Sequence, residues 1–278
     1  MTQIVSPYKY YLMQPTTDST TVLLRKEGNV AIITLNRPDR YNAITEEMKW
    51  ALIRTLDAVQ TDKTVKCIIL TGAGRGFCAG ADMADLDALG VDPQQIRDNL
   101  IMVYGSVVRM LMRSDKPVIA AINGPVAGAG MGFALACDFR IMADRASMRY
   151  AFINIGLVPD AGSTWLLTRT VGYSKALELI IEGEKIPADE CLQLGLTNKV
   201  VPSDDLMNRA LTWANRLAAK PTLAIGATKR ILHYAMNHDL YNTLSKEAEE
   251  QMPLFATHDH REGVRAFIEK RKPVFLGK

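Results

Sequence analysis

The sequence predicts an α/β fold followed by a helical C-terminal region, and three observations support this. Short apolar strands, glycine-rich loops and helices alternate through the first two thirds of the chain. The last third changes to helical patterning. Hydrophobic residues make up 48% of the 278 residues, which is enough for a sizeable core. We therefore expect an N-terminal extension over residues 1–21, an α/β core over 22–203 and a helical region over 204–278.

The first elements of the core follow from the apolar pattern. Val22–Arg25 and Val30–Leu35 are predicted to be two strands joined by a turn at Glu27-Gly28-Asn29. Thr45 then caps a helix, because two glutamates follow it and apolar residues recur at helical spacing. Further strands are predicted at Val65–Leu70, Val118–Ile122, Phe139–Ala143 and Asn198–Val201.

The stretch from Pro117 to Cys137 contains no charged residue and matches the length of a membrane span. It also contains Asn123, Pro125 and several glycines, which would interrupt a helix in lipid. It therefore predicts a buried strand, a tight loop and a helix that begins near Ala129, with no membrane contact. Four more helices are predicted at Asp204–Ala219, Leu223–Met236, Asp239–Phe255 and Arg261–Lys270.

The composition argues against several classes of protein. The 33 basic and 30 acidic residues give a net charge of +3 without a massed basic patch, so no nucleic-acid partner is expected. The four cysteines form no CxxC pair and no signal-peptide core is present, which indicates reduced thiols in a cytoplasmic protein. No metal site is expected, because the pattern His258-Asp259-His260 is typical of a solvated turn.

Two glycine-rich loops follow predicted strands, one over Thr71–Asp82 and the other over Asn123–Gly130. Glycine lets the backbone approach a ligand closely, so such loops can present N–H groups to an anion. Neither loop spells GxGxxG, which argues against a dinucleotide site. The alternative is that the glycines only allow tight turns to pack.

Several motifs occur together in one order. Phe77-Cys78-Ala79-Gly80-Ala81-Asp82-Met83 comes first, Lys116–Gly124 follows, and Gly128-Ala129-Gly130 closes the second loop. With these motifs the chain resembles the enoyl-CoA hydratase/isomerase (crotonase) superfamily from Val22 to Gly277. The resemblance implies a spiral of ββα turns with a helical region closing over it. It also implies a homotrimer or homohexamer and an acyl-CoA substrate, with coenzyme A as part of the substrate and no separate cofactor.

In that superfamily two backbone N–H groups hold the thioester carbonyl, and the matching positions are Ala81 and Ala129. Removing a proton next to a thioester moves charge onto its oxygen, and fixed N–H donors stabilise that charge. The hydratases of the superfamily add water with two glutamates, whereas the matching residues here are Gly132 and Phe152. Neither side chain can transfer a proton, so conventional hydration is not expected.

One acid remains near these positions. By resemblance, Asp160 occupies a place where some isomerases of the superfamily keep an acid that handles a substrate proton. The dehalogenase branch has a nucleophilic aspartate there, but its mechanism uses a histidine, and all four histidines lie in the last third of the chain. The alternative is that Asp160 caps a helix beginning near Gly162.

The remaining candidates concern coenzyme A. By resemblance, Phe267 and Lys270 reach the nucleotide end of a CoA bound mainly by an adjacent subunit, and Arg37 lies near its phosphates. The alternative for the first two is an amphipathic terminal helix with a solvated basic face. Three residues of the first loop are also assigned to CoA binding: Ala79, Asp82 and Met83.

The sequence thus predicts an acyl-CoA isomerase that shifts a double bond or rearranges an epoxide or ring through a thioester enolate. Asp160 would move the proton, and Ala81 and Ala129 would supply the N–H donors. The alternative within the superfamily is an enoyl-CoA hydratase. A distant alternative is a non-catalytic or RNA-binding member, although the helix after Thr45 carries only Lys49 and Arg54 as basic residues.

Overall fold

Two β-sheets carry the fold in the computed structural model, which describes residues 19–84 and 92–278. Within these ranges the strands are, in chain order, β1 (Val22–Glu27), β2 (Val30–Leu35), β3 (Cys67–Gly72), β4 (Val118–Ile122), β5 (Val126–Ala127), β6 (Phe139–Ala143), β7 (Ser147–Arg149), β8 (Lys185–Pro187) and β9 (Lys199–Val201). The larger sheet has the order β1-β2-β3-β4-β6-β9, and the smaller one has the order β5-β7-β8. Only β1 is antiparallel in the larger sheet.

Helices connect the parallel strands and then fill the C-terminal part of the chain. They are α1 (Glu46–Thr61), α2 (Pro93–Asp98), α3 (Gly105–Arg113), α4 (Ala129–Ala136), α5 (Ser163–Val171), α6 (Tyr173–Glu182), α7 (Ala188–Gln193), α8 (Leu206–Ala218), α9 (Thr222–Ala235), α10 (Leu240–Leu254) and α11 (His258–Ile268). A π-helical segment, Asn99–Tyr104, joins α2 to α3. The predicted α/β fold with a helical C-terminal region is confirmed.

The stretch from Pro117 to Cys137 lies inside the protein. It forms the predicted strand β4 and the predicted helix α4, and the two-residue strand β5 lies within the predicted loop; all residues of β4 and α4 are buried. An apolar helix needs no polar face when protein surrounds it on every side. Within residues 19–84 and 92–278, none of the helices combines the length and apolarity that crossing a membrane requires.

Element boundaries differ from the predictions where pairing or capping decides them. Strand β3 begins at Cys67 rather than Val65, because its parallel register pairs Cys67 with Val30 of β2. Helix α1 begins after Thr45 as predicted, since the Thr45 hydroxyl accepts the N–H of Met48 at 3.3 Å. Helix α11 begins before the predicted Arg261, because the Thr257 hydroxyl accepts the N–H of His260 at 3.1 Å.

Asp259 corrects the prediction of a solvated turn at His258-Asp259-His260. The segment is the first turn of α11, and only 3% of Asp259 is exposed. Its carboxylate accepts the backbone N–H groups of Leu276 at 2.7 Å and Gly277 at 2.8 Å. The turn prediction is therefore wrong, because this carboxylate fastens the segment after α11 to the start of the helix.

The cysteines are inert packing residues. All four are free and buried, and burial raises the pKa of each thiol to about 12. A thiol with so high a pKa stays protonated at neutral pH and is a poor nucleophile or metal ligand. In the two described ranges, no three His, Cys, Asp or Glu side chains are arranged to hold a metal ion.

The helices after residue 204 differ in how deeply they pack. Helix α8 lies against β3 and β4 and adds buried residues to the core of the sheet, among them Ala210 and Ala214. Helix α10 has no buried residue, and α11 buries only Asp259 and Ala266. The division of the chain into an extension, a core and a helical region stays a prediction.

Asp259→Ala should loosen the segment after α11. The substitution leaves two backbone N–H groups without their charged acceptor, which costs about 1–3 kcal/mol of unfolding free energy. Amide hydrogen exchange at Leu276 and Gly277 measures the effect directly, and both amides should lose protection. Asp204→Ala, at an exposed acid, is the matched control. Unchanged protection in the Asp259 variant would contradict the role given to this carboxylate.

Candidate active site

The two glycine-rich loops touch through their backbones. A Cβ atom at Gly80 would lie 3.0 Å from the Cα of Gly128 and 3.3 Å from the nitrogen of Ala129. A Cβ atom at Gly128 would lie 3.1 Å from the Cα of Gly80. Both glycines also have positive φ, 94° and 53°. Only glycine satisfies both conditions, so this contact sets how closely the loops approach.

This contact places two backbone N–H groups at one point of the fold. The bridge between Ile44 and Ala81 uses the carbonyl of Gly80 and the N–H of Asp82, so the N–H of Ala81 points away from Ile44. Ala129 is the first residue of α4, and its N–H has no acceptor within that helix. The helix dipole adds partial positive charge there. The pair suits a negatively charged oxygen.

Two asparagines hold the first loop in shape. The buried Asn42 amide donates to the carbonyls of Gly76 at 2.7 Å and Ala73 at 3.0 Å, and its oxygen accepts the N–H of Arg37 at 2.8 Å. The Asn123 amide donates to the carbonyls of Gly74 and Gly76 at 2.9 and 3.1 Å. Neither role was predicted from the sequence. For Asn123 a signal was present, because it stands in the motif Lys116–Gly124 beside a turn.

Helix α4 meets a second backbone segment at Gly132. A Cβ atom there would lie 2.2 Å from the carbonyl oxygen of Ala161 and 2.6 Å from its Cβ. Gly132 follows Ala129 by three residues, so both lie on one face of the helix. The turn that contains Asp160 therefore packs on the side of α4 that Gly132 shares with Ala129, about one helical turn from the start of the helix. Phe152 is the second position, besides Gly132, that by resemblance carries a glutamate in the hydratases, and it is buried.

Asp160 does not cap a helix with its side chain. Helix α5 begins at Ser163 with Gly162 as its N-cap and without a side-chain capping bond. The backbone carbonyl of Asp160 accepts from the N–H and hydroxyl of Ser163 instead, at 2.9 and 2.7 Å. One carboxyl oxygen, Oδ1, is buried without a hydrogen-bond partner among the described residues. The capping alternative is wrong, because the Asp160 side chain makes no hydrogen bond to the start of α5.

The environment of Asp160 also changes its acidity. Burial raises the pKa of this carboxyl to about 6, against a weaker opposing effect of its own backbone N–H. Removal from water disfavours the charged form, which is the physical cause. A carboxyl with such a pKa is mostly ionised at neutral pH and, once protonated, gives its proton back readily. It can serve as both base and acid.

The residues assigned to CoA fall in two places. Arg37 and Asp82 form an ion pair at 2.8 Å, and the Arg37 guanidinium holds the pKa of Asp82 below its usual range. Ala79 and Met83 are exposed on the same loop. Phe267 lies in the last turn of α11 and is 86% exposed, and Lys270 follows two residues after the helix ends at Ile268. Within the described ranges, no hydrogen bond or ion pair joins these two residues to the glycine-rich loops.

Asp160→Asn should make the protein more stable at alkaline pH. The folded pKa of about 6 exceeds the ordinary 3.8, so rising pH destabilises the folded state between these values. Asparagine cannot ionise, so the free energy of unfolding should rise by up to about 3 kcal/mol above pH 7. Below about pH 4 the gain should vanish. Denaturant titrations across this pH range measure the difference in unfolding free energy between the variant and the parent protein.

The control for this measurement is Asp57→Asn, which changes an exposed acid on α1. Its effect on unfolding should not depend on pH in the same window. If Asp160→Asn gives the same stability difference from the parent protein at every pH, the carboxyl does not have a raised pKa in the folded state.

Comparisons with known proteins show which family this chain is similar to. A model of the enoyl-CoA hydratase/isomerase family matches residues 25–278. The chain is 40% identical over 261 residues to 1,2-epoxyphenylacetyl-CoA isomerase of Escherichia coli, covering 92% of this chain and 98% of that protein. It is 36% identical over 253 residues to short-chain-enoyl-CoA hydratase of Clostridium acetobutylicum, covering 90% of this chain and 95% of that protein.

A solved structure shows the same fold. An enoyl-CoA hydratase subunit of Geobacillus kaustophilus matches with a TM-score of 0.86 and 37% identity, covering 93% of this chain and 98% of that one. The family match includes both glycine-rich loops, the Asp160 turn and helices α8 to α11. Isomerases and hydratases both occur among the relatives, so the comparisons identify the family rather than one reaction. The chain belongs to the enoyl-CoA hydratase/isomerase family, within the crotonase superfamily.

Proposed function

We propose that the protein is an acyl-CoA isomerase that moves a proton between carbons of an enoyl thioester through an enolate. The observation that carries this proposal is the Asp160 carboxyl, which is half-buried, has one buried oxygen without a partner among the described residues, and belongs to a turn that packs on α4 at Gly132. A carboxyl in that place suits proton transfer while the N–H groups hold the thioester oxygen. Double-bond shifts and epoxide or ring rearrangements both pass through such a state.

In the double-bond shift, ionised Asp160 takes a proton from a carbon of the acyl chain. The electron pair of that C–H bond forms the new double bond, and negative charge moves to the thioester oxygen. The N–H groups of Ala81 and Ala129 stabilise this charge, and one such donor contributes about 2.7–4 kcal/mol in comparable sites. Protonated Asp160 then returns the proton to a different carbon. Substrate and product have the same mass.

The site gives little support to hydration, which is the second candidate because hydratases occur among the relatives. By resemblance, hydration uses acids at the positions of Gly132 and Phe152. The backbone of Ala161 fills the space beside Gly132, and Phe152 is buried and apolar. Of the three positions, only Asp160 carries an acid, so a water molecule would lack the second carboxyl that, by resemblance, the hydratases use.

An RNA-binding role is supported even less. It would need exposed basic residues on a helix such as α1. Lys49 of this helix is only 5% exposed and forms an ion pair with Glu46 at 2.5 Å. That pairing leaves Arg54 as the one remaining basic residue of α1, and Arg54 is only partly exposed.

Coenzyme A would enter as part of the substrate, without a separate cofactor. Arg37, Ala79, Asp82 and Met83 would line its path on one subunit, and Phe267 and Lys270 would reach it from a neighbour in a homotrimer or homohexamer. Exposed apolar side chains on α6 and on the C-terminal helices support burial against another copy. They include Tyr173, Leu177, Ile181, Leu232, Tyr241, Met252 and Phe267.

A panel of 2-enoyl, 3-enoyl and epoxide-derived acyl-CoAs tests the reaction. Isomerisation leaves the mass unchanged and moves chromatographic retention, whereas hydration adds one water. Asp160→Asn should lower turnover at least about 10²-fold, because an amide cannot accept the proton. Asp57→Asn is the matched control. Retention of more than about a tenth of the activity, or a product heavier by one water, would count against the proposal.

The N–H donor at Ala129 can be removed without removing the helix start. Proline is favoured at the first position of a helix but has no N–H. Ala129→Pro should therefore abolish turnover, whereas Ala129→Ser, which keeps the N–H, should retain most of it. Circular dichroism checks that both variants fold. Equal losses in two well-folded variants would assign the effect to side-chain packing.

A further inference from the structure

The Asp160 carboxyl has no hydrogen bond on Oδ1 to aim it, so its direction must come from the backbone that carries it. That backbone is unusual. Ala161 has a φ of 49°, which is rare for a residue with a side chain, and Gly162 has a φ of 69°. The N–H of Ser163 closes the turn on the Asp160 carbonyl at 2.9 Å. The conformation of this turn therefore fixes where the carboxyl points.

Two further contacts hold the turn in place. The hydroxyl of Ser163, a residue with 0% exposure, gives the Asp160 carbonyl a second hydrogen bond at 2.7 Å. The carbonyl and Cβ of Ala161 also pack against Gly132. They fit there only because Gly132 has no side chain. Only 5% of Ala161 is exposed to solvent. A left-handed alanine persists only where its surroundings hold it.

We propose that Gly132, Ala161 and Ser163 are positioning residues, which hold the Asp160 turn against α4 so that its carboxyl faces the oxyanion N–H groups. This inference rests on the proposed function. Gly132 and Ala161 have no side-chain proton to exchange, and the Ser163 hydroxyl donates its proton to the Asp160 carbonyl. Their effect is geometric, because displacement of a reacting group by about 1 Å can cost about 10²-fold in rate.

Gly132 is the sharpest test of this role. A methyl group at this position forces the Ala161 backbone away from α4 and moves Asp160 with it. Gly132→Ala should lower kcat about 10- to 100-fold while the KM for the acyl-CoA changes less than about twofold, since the CoA contacts lie elsewhere. Gly263→Ala is the matched control, because a Cβ there meets only Phe275 at an ordinary 3.6 Å. It should leave kcat unchanged.

The pH profile separates positioning from simple loss of folded protein. A carboxyl displaced toward water loses part of the burial that raises its pKa, so the acid limb of the kcat profile should move to lower pH in Gly132→Ala. A smaller amount of active enzyme would lower the whole profile without moving its limb. Ser163→Ala, which introduces no clash, should shift the limb in the same direction with a smaller loss of kcat.

Asp160→Asn, measured in parallel, keeps the two proposals apart. If it is inactive while Gly132→Ala and Ser163→Ala keep the parental kcat and pH limb, the positioning role is overturned and the proposed function stands. If Asp160→Asn stays active, the proposed function is contradicted, and the positioning role that rests on it is contradicted as well. Should Gly132→Ala not fold, Ser163→Ala decides the matter alone, because an unchanged kcat and limb in that variant overturn the inference.

Discussion

The contact between the backbones at Gly80 and Gly128 is the constraint on which the rest of the site depends. It holds the end of one loop against the start of α4, at van der Waals distance and without a side chain between them. The two N–H groups of Ala81 and Ala129 can converge only because both loops are this close. The geometry needed for a negatively charged oxygen is thus built from backbone, and alanine suffices at both positions.

Loops that approach so closely leave carbonyl groups that must find donors, because a buried polar group without a partner costs free energy. Asn42 and Asn123 supply these donors, and both reach the carbonyl of Gly76. Rigid support of this kind contrasts with Asp160, whose Oδ1 is left unsatisfied. A partly buried carboxyl with an unsatisfied oxygen and a raised pKa is a candidate functional group.

Glycine has two roles along α4. At Gly130 it lets the helix pack on Cys78, and at Gly132 it lets the Asp160 turn lie against the helix. The second contact bears on the site, because Ala161 fills the space that a side chain at position 132 would need. Gly132 is one of two positions, with Phe152, at which the resemblance implies an acid in the hydratases.

The sequence by itself determined the elements and the ends of many of them, such as β4 and the start of α4, because apolar periodicity and capping are local properties. Through its resemblance to the superfamily it also predicted Ala81, Ala129 and Asp160 as site residues. Only the tertiary structure decided that Asp160 leaves its helix uncapped, that Ala161 rests on Gly132, and that Asp259 is buried. These facts depend on which distant segments meet, and no local pattern encodes the distance between two backbones that packing brings together.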